Sequence, residues 1–338
     1  MLISELRKRL TDEKSRIIFD ARINYSKDKR LSSFYQNIKK NGDKYTFREV
    51  DEFIQETDVS SLVIFGCSDC SQYSYRALKD SHYPVLGLVS DNCEDVLPEN
   101  IPLYSLKIFC SISSKVGIIV FDNDFDSVPL YILDTYIILR LPNHVVGRTG
   151  NQYFDYFLPE KDEIFLDGGS LDGITTKKFI EWCSGNYGTV YAFEPNPTMA
   201  EECRKNLERF AEPDKLFFYQ YALWDRKEER NFDNSGGKWS AHIDDKGQFL
   251  IHTECIDSLL KDKKVTFIKL DIEGSELQAL SGAKECIQTN HPRMAVSVYH
   301  HADDMEKIMN YLLFLCPDYH FALRHYHSDA IETILYAY

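Results

Sequence analysis

The chain has 338 residues, enough for two domains or one large one, and ample apolar residues for a core. Its formal net charge of −14 argues against a grip on a nucleic-acid backbone or an anionic membrane surface, and the densest basic run, Lys261 to Lys264, is broken by Asp262. No apolar run reaches the roughly 18 residues needed to span a bilayer, and the segment MLISELRKRL carries charges where a secretory signal would be apolar.

Residues 1–57 are rich in charge and read as helices with polar breaks, such as Lys40-Asn41-Gly42-Asp43. A strand is expected at 62–65, ending in Gly66, then a helical stretch through 75–79. A second strand at 85–89 ends in Ser90-Asp91-Asn92. A loop with Pro98 and Pro102 follows, then an apolar strand at 116–121. Strands alternating with helix-length segments imply a small parallel α/β unit. The glycine pattern after 62–65 stops at Gly66, so nucleotide binding is not expected there. Cys67-Ser68-Asp69-Cys70 is a lone Cys-x-x-Cys with no second pair at zinc-ribbon spacing. The nine cysteines are scattered and odd in number, and read as reduced, packed thiols, which suits a cytoplasmic chain. Pro142, Gly147 and Gly150 mark a linker, giving an N-terminal domain of 1–145 and a C-terminal domain of 146–338.

After the linker the pattern restarts. A strand at 163–166 leads into Asp167-Gly168-Gly169-Ser170-Leu171-Asp172-Gly173. A helix at 175–183, a strand at 189–193, a helix at 197–210 and a strand at 216–223 follow. Residues 226–249 read as an irregular excursion. A strand at 265–270 runs into Asp271-Ile272-Glu273-Gly274-Ser275-Glu276 and a helix through Ala283. Then come a strand at 294–299, a helix at 303–314, and strands at 320–324 and 333–338. The last two strands are too close for a crossover and are expected to pair antiparallel. An open parallel sheet with an antiparallel last strand is the Rossmann-like layout of class I methyltransferases. Ligands of such sheets bind beyond the carboxyl ends of the strands, so the loops after Leu166, Phe193, Leu223 and Leu270 are expected to meet at one site.

Glycines in the 167–173 loop let the backbone turn tightly and approach a ligand. As a dinucleotide fingerprint the loop is imperfect. Gly168 and Gly173 fit the first and third glycines, Ser170 replaces the middle one, and Asp167 would repel a pyrophosphate. S-adenosylmethionine has no phosphate and carries two cationic groups, which nearby carboxylates favour. Glu194, in AFEPNP, can accept both hydroxyls of a ribose, and Pro195 and Pro197 stiffen its turn. Asp271 and Glu273 are candidates for a general base or for substrate positioning. Glu276 reads as a helix N-terminal acid. In Tyr299-His300-His301-Ala302-Asp303-Asp304 the adjacent histidines point apart on an extended segment, so no metal is expected. His300 is a candidate base or substrate contact, and Asp303 reads as a helix N-cap.

The stretches FLDGGSLDG, YAFEPNP, YALWD, TFIKLDIEGSELQALSGA, AVSVYHHADDM and RHYHSDAIETILYAY resemble the FkbM family of methyltransferases over about 152–338. The resemblance implies S-adenosyl-L-methionine as donor and O-methylation of a small-molecule or glycan acceptor, often at a sugar hydroxyl. By position, Asp167, Gly168, Gly169 and Gly173 would line the methionine portion and Glu194 the ribose. Ala222 and Leu223 would flank the adenine, with Asp271 near the transferred methyl. Tyr153, Ser170, Pro195 and Asn196 complete the cofactor-lining candidates. The N-terminal part is similar to small Rossmann-like domains that precede this module in some bacterial proteins. Trp239 and His242, in the 231–247 segment, are candidates to cover the acceptor. Two other classes stay open: an NAD-dependent oxidoreductase or epimerase, against which the lack of a well-placed Tyr-x-x-x-Lys pair argues, and a non-catalytic cofactor- or glycan-binding module. The sequence fixes neither the acceptor nor the oligomeric state.

Overall fold

The computed structural model describes residues 1–93, 97–98, 100–112, 115–235 and 241–338. Contacts divide them into two compact units. One holds Met1–Arg16, Asn151–His325 and Glu332–Tyr338, and the other Ile17–Gly150 and Tyr326–Ile331. Among the described residues no helix is long and apolar enough to cross a membrane.

The unit centred on 17–150 contains β1 (Ser61–Phe65), β2 (Val85–Val89), β3 (Leu103–Tyr104), β4 (Val116–Phe121) and β5 (Ile138–Leu141). They form one parallel sheet in the order β3-β2-β1-β4-β5. The central strands are continuous apolar runs because both faces are covered, and all six residues of β4 are buried. The expected strands at 62–65, 85–89 and 116–121 are present. The short edge strands β3 and β5 were not anticipated. Ser68 caps the helix Asp69–Asp80 by accepting from the Ser71 amide. Cys67 and Cys93 form a disulfide between the loops after β1 and β2. The expectation that all nine thiols are reduced therefore fails at this pair, since the topology brings the two loops side by side.

The other unit is built on β6 (Glu163–Gly168), β7 (Tyr187–Phe193), β8 (Leu216–Tyr219), β13 (Phe267–Leu270), β14 (Arg293–Ser297), β15 (Phe321–His325) and β16 (Thr333–Ala337). Their order is β15-β16-β14-β13-β6-β7-β8. β16 pairs antiparallel with both β14 and β15, as the short connection requires, and it inserts between them rather than ending the sheet. Under the sheet, Phe165 and Phe179 stack at 4.2 Å, and Phe154, Trp182 and Phe267 close around them. Such aromatic packing dominates core energetics.

Two expectations need correction. The strand at 216–223 is two elements: β8 belongs to the large sheet, whereas β9 (Ala222–Leu223) pairs with a second one. The excursion at 226–249 contains regular strands among its described residues. Strands β10 (Glu228–Asp233), β11 (His242–Ile243) and β12 (Phe249–Glu254) join β9 in the order β11-β10-β12-β9. Polar residues on the solvent face of β10 hide the alternation there, and only Phe232 is buried. Trp239 lies outside the described residues.

The large sheet brings the loops after β6 and β13 into contact. Gly169 has φ +77°, and a Cβ there would stand 2.0 Å from the Asp271 carbonyl oxygen. Gly169→Ala is therefore expected to lower stability by about 2–4 kcal/mol, from left-handed strain plus overpacking. A urea-denaturation midpoint checks this, and an unchanged midpoint contradicts it.

Candidate active site

At the carboxyl edge of the large sheet, β13 contributes Lys269, a lysine inside an otherwise apolar strand and 2% exposed. Its ammonium donates to the carbonyl oxygens of Gly168 (2.9 Å) and Gly169 (2.8 Å) and lies 3.2 Å from Asp167 Oδ1. Asp167 Oδ2 accepts from the Thr176 hydroxyl at 2.7 Å. Asp167, expected along the methionine portion, is thus fully buried and holds the glycine loop from beneath. Ser170 also turns inward: its hydroxyl donates to the Asp167 carbonyl and accepts from the Phe193 amide. The Gly169 and Ser170 amides both donate to the Phe193 carbonyl. Gly173, at φ +82°, caps the helix Ile174–Trp182.

Glu194, 5% exposed, accepts from the Leu171 and Asn196 amides at 2.9 Å each. Asn196 caps the helix Pro197–Phe210 through Thr198, and Pro195 sits half-buried between them. Leu223 packs toward Gly168, its Cδ1 2.9 Å from where a Cβ would stand, and Ala222 is buried beside it in β9.

Beyond β13 a dense polar group forms. Tyr153, held at φ +74°, donates to Asp271 Oδ2 at 2.5 Å, and the Tyr299 hydroxyl donates to Oδ1 at 3.3 Å. His300 Nε2 lies 3.6 Å from Asp271 and 3.5 Å from Glu273, and Nδ1 lies 3.0 Å from Glu276. Tyr299 also donates to Glu332, which accepts from Gln152 as well. Asp271, Glu273 and His300 were expected from the sequence as candidates, and the fold brings all three together. Lys269, Gln152, Glu332 and the Glu276–His300 contact were missed. A lysine in an apolar strand was a readable signal, whereas Glu332 comes from the distant β16 segment and carries none. His301 turns away, with Nε2 3.2 Å from the Gly274 carbonyl. Asp303 stands at the N-cap position but makes no capping bond. Its carboxylate pairs with Lys307, while Asp304 accepts from the His301 amide. His242, in β11, lies half-buried 4.0 Å from Asp244.

The profile described as Methyltransferase FkbM domain matches residues 167–324. Residues 167–324 are an FkbM methyltransferase domain. The chain is similar to the 2-O-methyltransferase NoeI of Sinorhizobium fredii, 23% identical over 153 residues, covering 38% of this chain and 61% of that protein. It is also similar to the hexuronic acid methyltransferase AglP of Haloferax volcanii, 29% identical over 135 residues, covering 38% and 54%. The chain thus spans little more than half the length of these relatives. In fold it resembles the crystal structure of methyltransferase FkbM from Methylobacillus flagellatus, with TM-score 0.52 and 20% identity over 96% of this chain and 99% of that one.

The charges of the FkbM domain's polar group are strongly interdependent. Burial lowers the affinity of His300 for a proton, but Glu276, Asp271 and Glu273 outweigh it and push the ring up to about 9. Burial pushes Glu273 up to about 7, offset in part by His300 and reinforced by Asp271, Glu276 and Glu332. Asp271 is also buried, yet Lys269, His300 and the Tyr153 hydroxyl hold it below the usual carboxylate value. Burial raises Glu194 to about 7 despite its two amide donors. The ligand atoms of Asp271, Glu276 and His300 lie within 4.8 Å of one another, a spacing a metal ion can bridge. A protonated His300 supplies positive charge at that same point.

Removing the Lys269 charge strands Asp167 in the core. Lys269→Met is expected to cost about 3–5 kcal/mol, with at least half regained on adding Asp167→Asn. Urea denaturation of the single and double variants measures this. A double variant no more stable than the single one contradicts the pairing.

Proposed function

We propose that this chain is an S-adenosyl-L-methionine-dependent O-methyltransferase acting on a hydroxyl of a sugar-containing small molecule or glycan. The observation that carries the reading is the group at the end of β13 in an FkbM domain. There Asp271 is held by Tyr153, and Glu273 and His300 stand 3.5 Å apart beside it. The sugar acceptor is supported by the names of the two curated relatives, a 2-O-methyltransferase and a hexuronic acid methyltransferase.

The residues suit this cofactor. The glycine cradle has no room for a Cβ at Gly169. Its one buried ammonium, Lys269, is spent on backbone carbonyls and Asp167 and offers nothing to a phosphate. The carboxylates that remain, Glu194, Asp271 and Glu273, favour a cationic, phosphate-free adenosine compound. S-adenosylmethionine supplies, when bound, a methyl group already made electrophilic by its sulfonium. Glu194 would turn from the amides of its own loop toward the ribose hydroxyls. Asp271, fixed by Tyr153 and Tyr299, would supply negative charge toward the cationic cofactor.

A hydroxyl is a poor nucleophile near neutral pH, and it must be placed about 3 Å from the carbon it attacks. Glu273 is the base: at about 7 its affinity lies where proton transfer from the acceptor is most efficient. Protonated His300 lies between Asp271 and Glu273, orienting both and keeping their charges from repelling.

The pH dependence follows by sign. Below about 7 Glu273 is protonated and cannot accept, so turnover falls with falling pH. Above about 9 His300 loses its proton, and turnover falls again. A bell with limbs near those values is expected when S-adenosylhomocysteine release is followed against a panel of free sugars and oligosaccharides. Glu273→Gln should lower kcat by about 10²- to 10⁴-fold, remove the acid limb and leave KM nearly unchanged. A retained acid limb in that variant removes Glu273 as base. Cofactor binding without release from any hydroxyl acceptor favours a non-catalytic module instead.

A further inference from the structure

The polar group at the end of β13 holds more acceptors than donors. Asp271, Glu273 and Glu276 converge on His300, and Glu332 joins them through Tyr299. Most donors of the group are spent within it. Tyr153 gives its proton to Asp271, and the Gln152 amide serves the Tyr153 hydroxyl and Glu332. The Tyr299 hydroxyl has one proton for two carboxylates, at 3.3 Å from Asp271 Oδ1 and 3.3 Å from Glu332 Oε1. Lys269 is committed to Asp167 and the glycine loop, and His301 turns to the Gly274 carbonyl.

One buried donor stands apart. The His300 side chain is 10% exposed, and among the described residues its Nε2 makes no hydrogen bond. That nitrogen faces Asp271 at 3.6 Å and Glu273 at 3.5 Å. A hydroxyl oxygen can accept from it and give its own proton to a carboxylate, so a polyol suits the place. Gln152, Glu273, Tyr299 and Glu332 are each half-buried, so the group has an exposed side. Tyr153, Glu273 and Glu332 keep left-handed backbone, at φ +74°, +56° and +58°, a conformation the surrounding structure must enforce. A ligand carboxylate would bring two more acceptors, and a like charge, to a group short of donors. Burial opposes ionisation of Glu273, His300 favours it, and Asp271, Glu276 and Glu332 oppose it again. A ligand ammonium brings three donors and the opposite charge.

We propose that the acceptor side of this group selects a sugar carrying a protonated amine near the reacting hydroxyl over one carrying a carboxylate there, with Glu332 as the specificity-determining residue. The inference rests on the methyltransferase reading above and narrows its acceptor. Glu332 stands on the far side of Tyr299 from Asp271, and no step of methyl transfer calls for it. Its charge therefore bears on what the acceptor carries beside the reacting oxygen. A neutral sugar satisfies His300 and the carboxylates through its hydroxyls and ranks between the two charged kinds. Charge complementarity of this sort acts mainly by suppressing the wrong partner.

The test uses the full chain saturated with S-adenosylhomocysteine. It is titrated with three glycosides that differ only at the sixth carbon: methyl 6-amino-6-deoxyglucoside, methyl glucoside and methyl glucuronide. Ligand-observed NMR near neutral pH, where the alkyl amine keeps its proton, gives the three dissociation constants. The amine is expected to bind at least about tenfold tighter than the glucuronide, with the neutral glycoside between them, and added salt should narrow the gap. Glu332→Gln should shrink the ratio of amine to glucuronide affinity by about threefold or more. A merely structural role for Glu332 would weaken all three glycosides alike and leave that ratio unchanged. Glucuronide binding as tightly as the amine, or binding of none of the three, overturns the proposal, and neither result depends on a variant that folds. Failure of S-adenosylhomocysteine itself to bind overturns instead the methyltransferase reading beneath it.

Discussion

The ammonium of Lys269 is the point through which the carboxyl edge of the large sheet is organised. It reaches from β13 to the carbonyls of Gly168 and Gly169 and to Asp167 on β6. It also lies 5.4 Å from the centre of the Tyr153 ring, whose hydroxyl bonds Asp271. One buried cation thus fixes the glycine loop, the ring that positions Asp271, and the charge that keeps Asp271 ionised. A pair this deep is costly to desolvate. It is tolerated because Thr176 and two backbone carbonyls satisfy the remaining bonding capacity.

His300 has a comparable role nearer the surface. Asp271, Glu273 and Glu276 converge on a ring only 10% exposed, and three carboxylates so close cannot all ionise without a compensating positive charge. The imidazolium provides it. In doing so it leaves Glu273 able to gain or lose a proton near neutral pH while Asp271 stays charged. The ionisation of these neighbouring carboxylates is thereby set apart by their surroundings.

Much of this arrangement was legible in the sequence. The long apolar strands and the Pro- and Gly-bounded helices were read within a few residues, because continuous burial leaves continuous apolar runs. The short connection before β16 gave the antiparallel pairing. Asp271, Glu273 and His300 were readable because they follow strand ends directly. What escaped was set by tertiary context. β9 to β12 mix polar and apolar residues in a small, partly exposed second sheet, so their period is blurred. Glu332 and Gln152 join the polar group only because β16 inserts beside β14. Asp167 and Ser170 looked like ligand-facing residues. Their direction inward depends on Thr176, Phe193 and Lys269, which no local spacing reveals. The Cys67–Cys93 bridge likewise depends on β1 and β2 being neighbours.

The proposed function requires the acidic carboxyl edge to take a cationic adenosine compound without phosphates. Isothermal titration calorimetry of the full chain with S-adenosylmethionine and, separately, with NAD tests it most directly. One-to-one binding of S-adenosylmethionine is expected, weakened at least about tenfold by Glu194→Gln, as loss of a charge-assisted bond to the ribose requires, with no binding of NAD. Binding of NAD with no affinity for S-adenosylmethionine would contradict it.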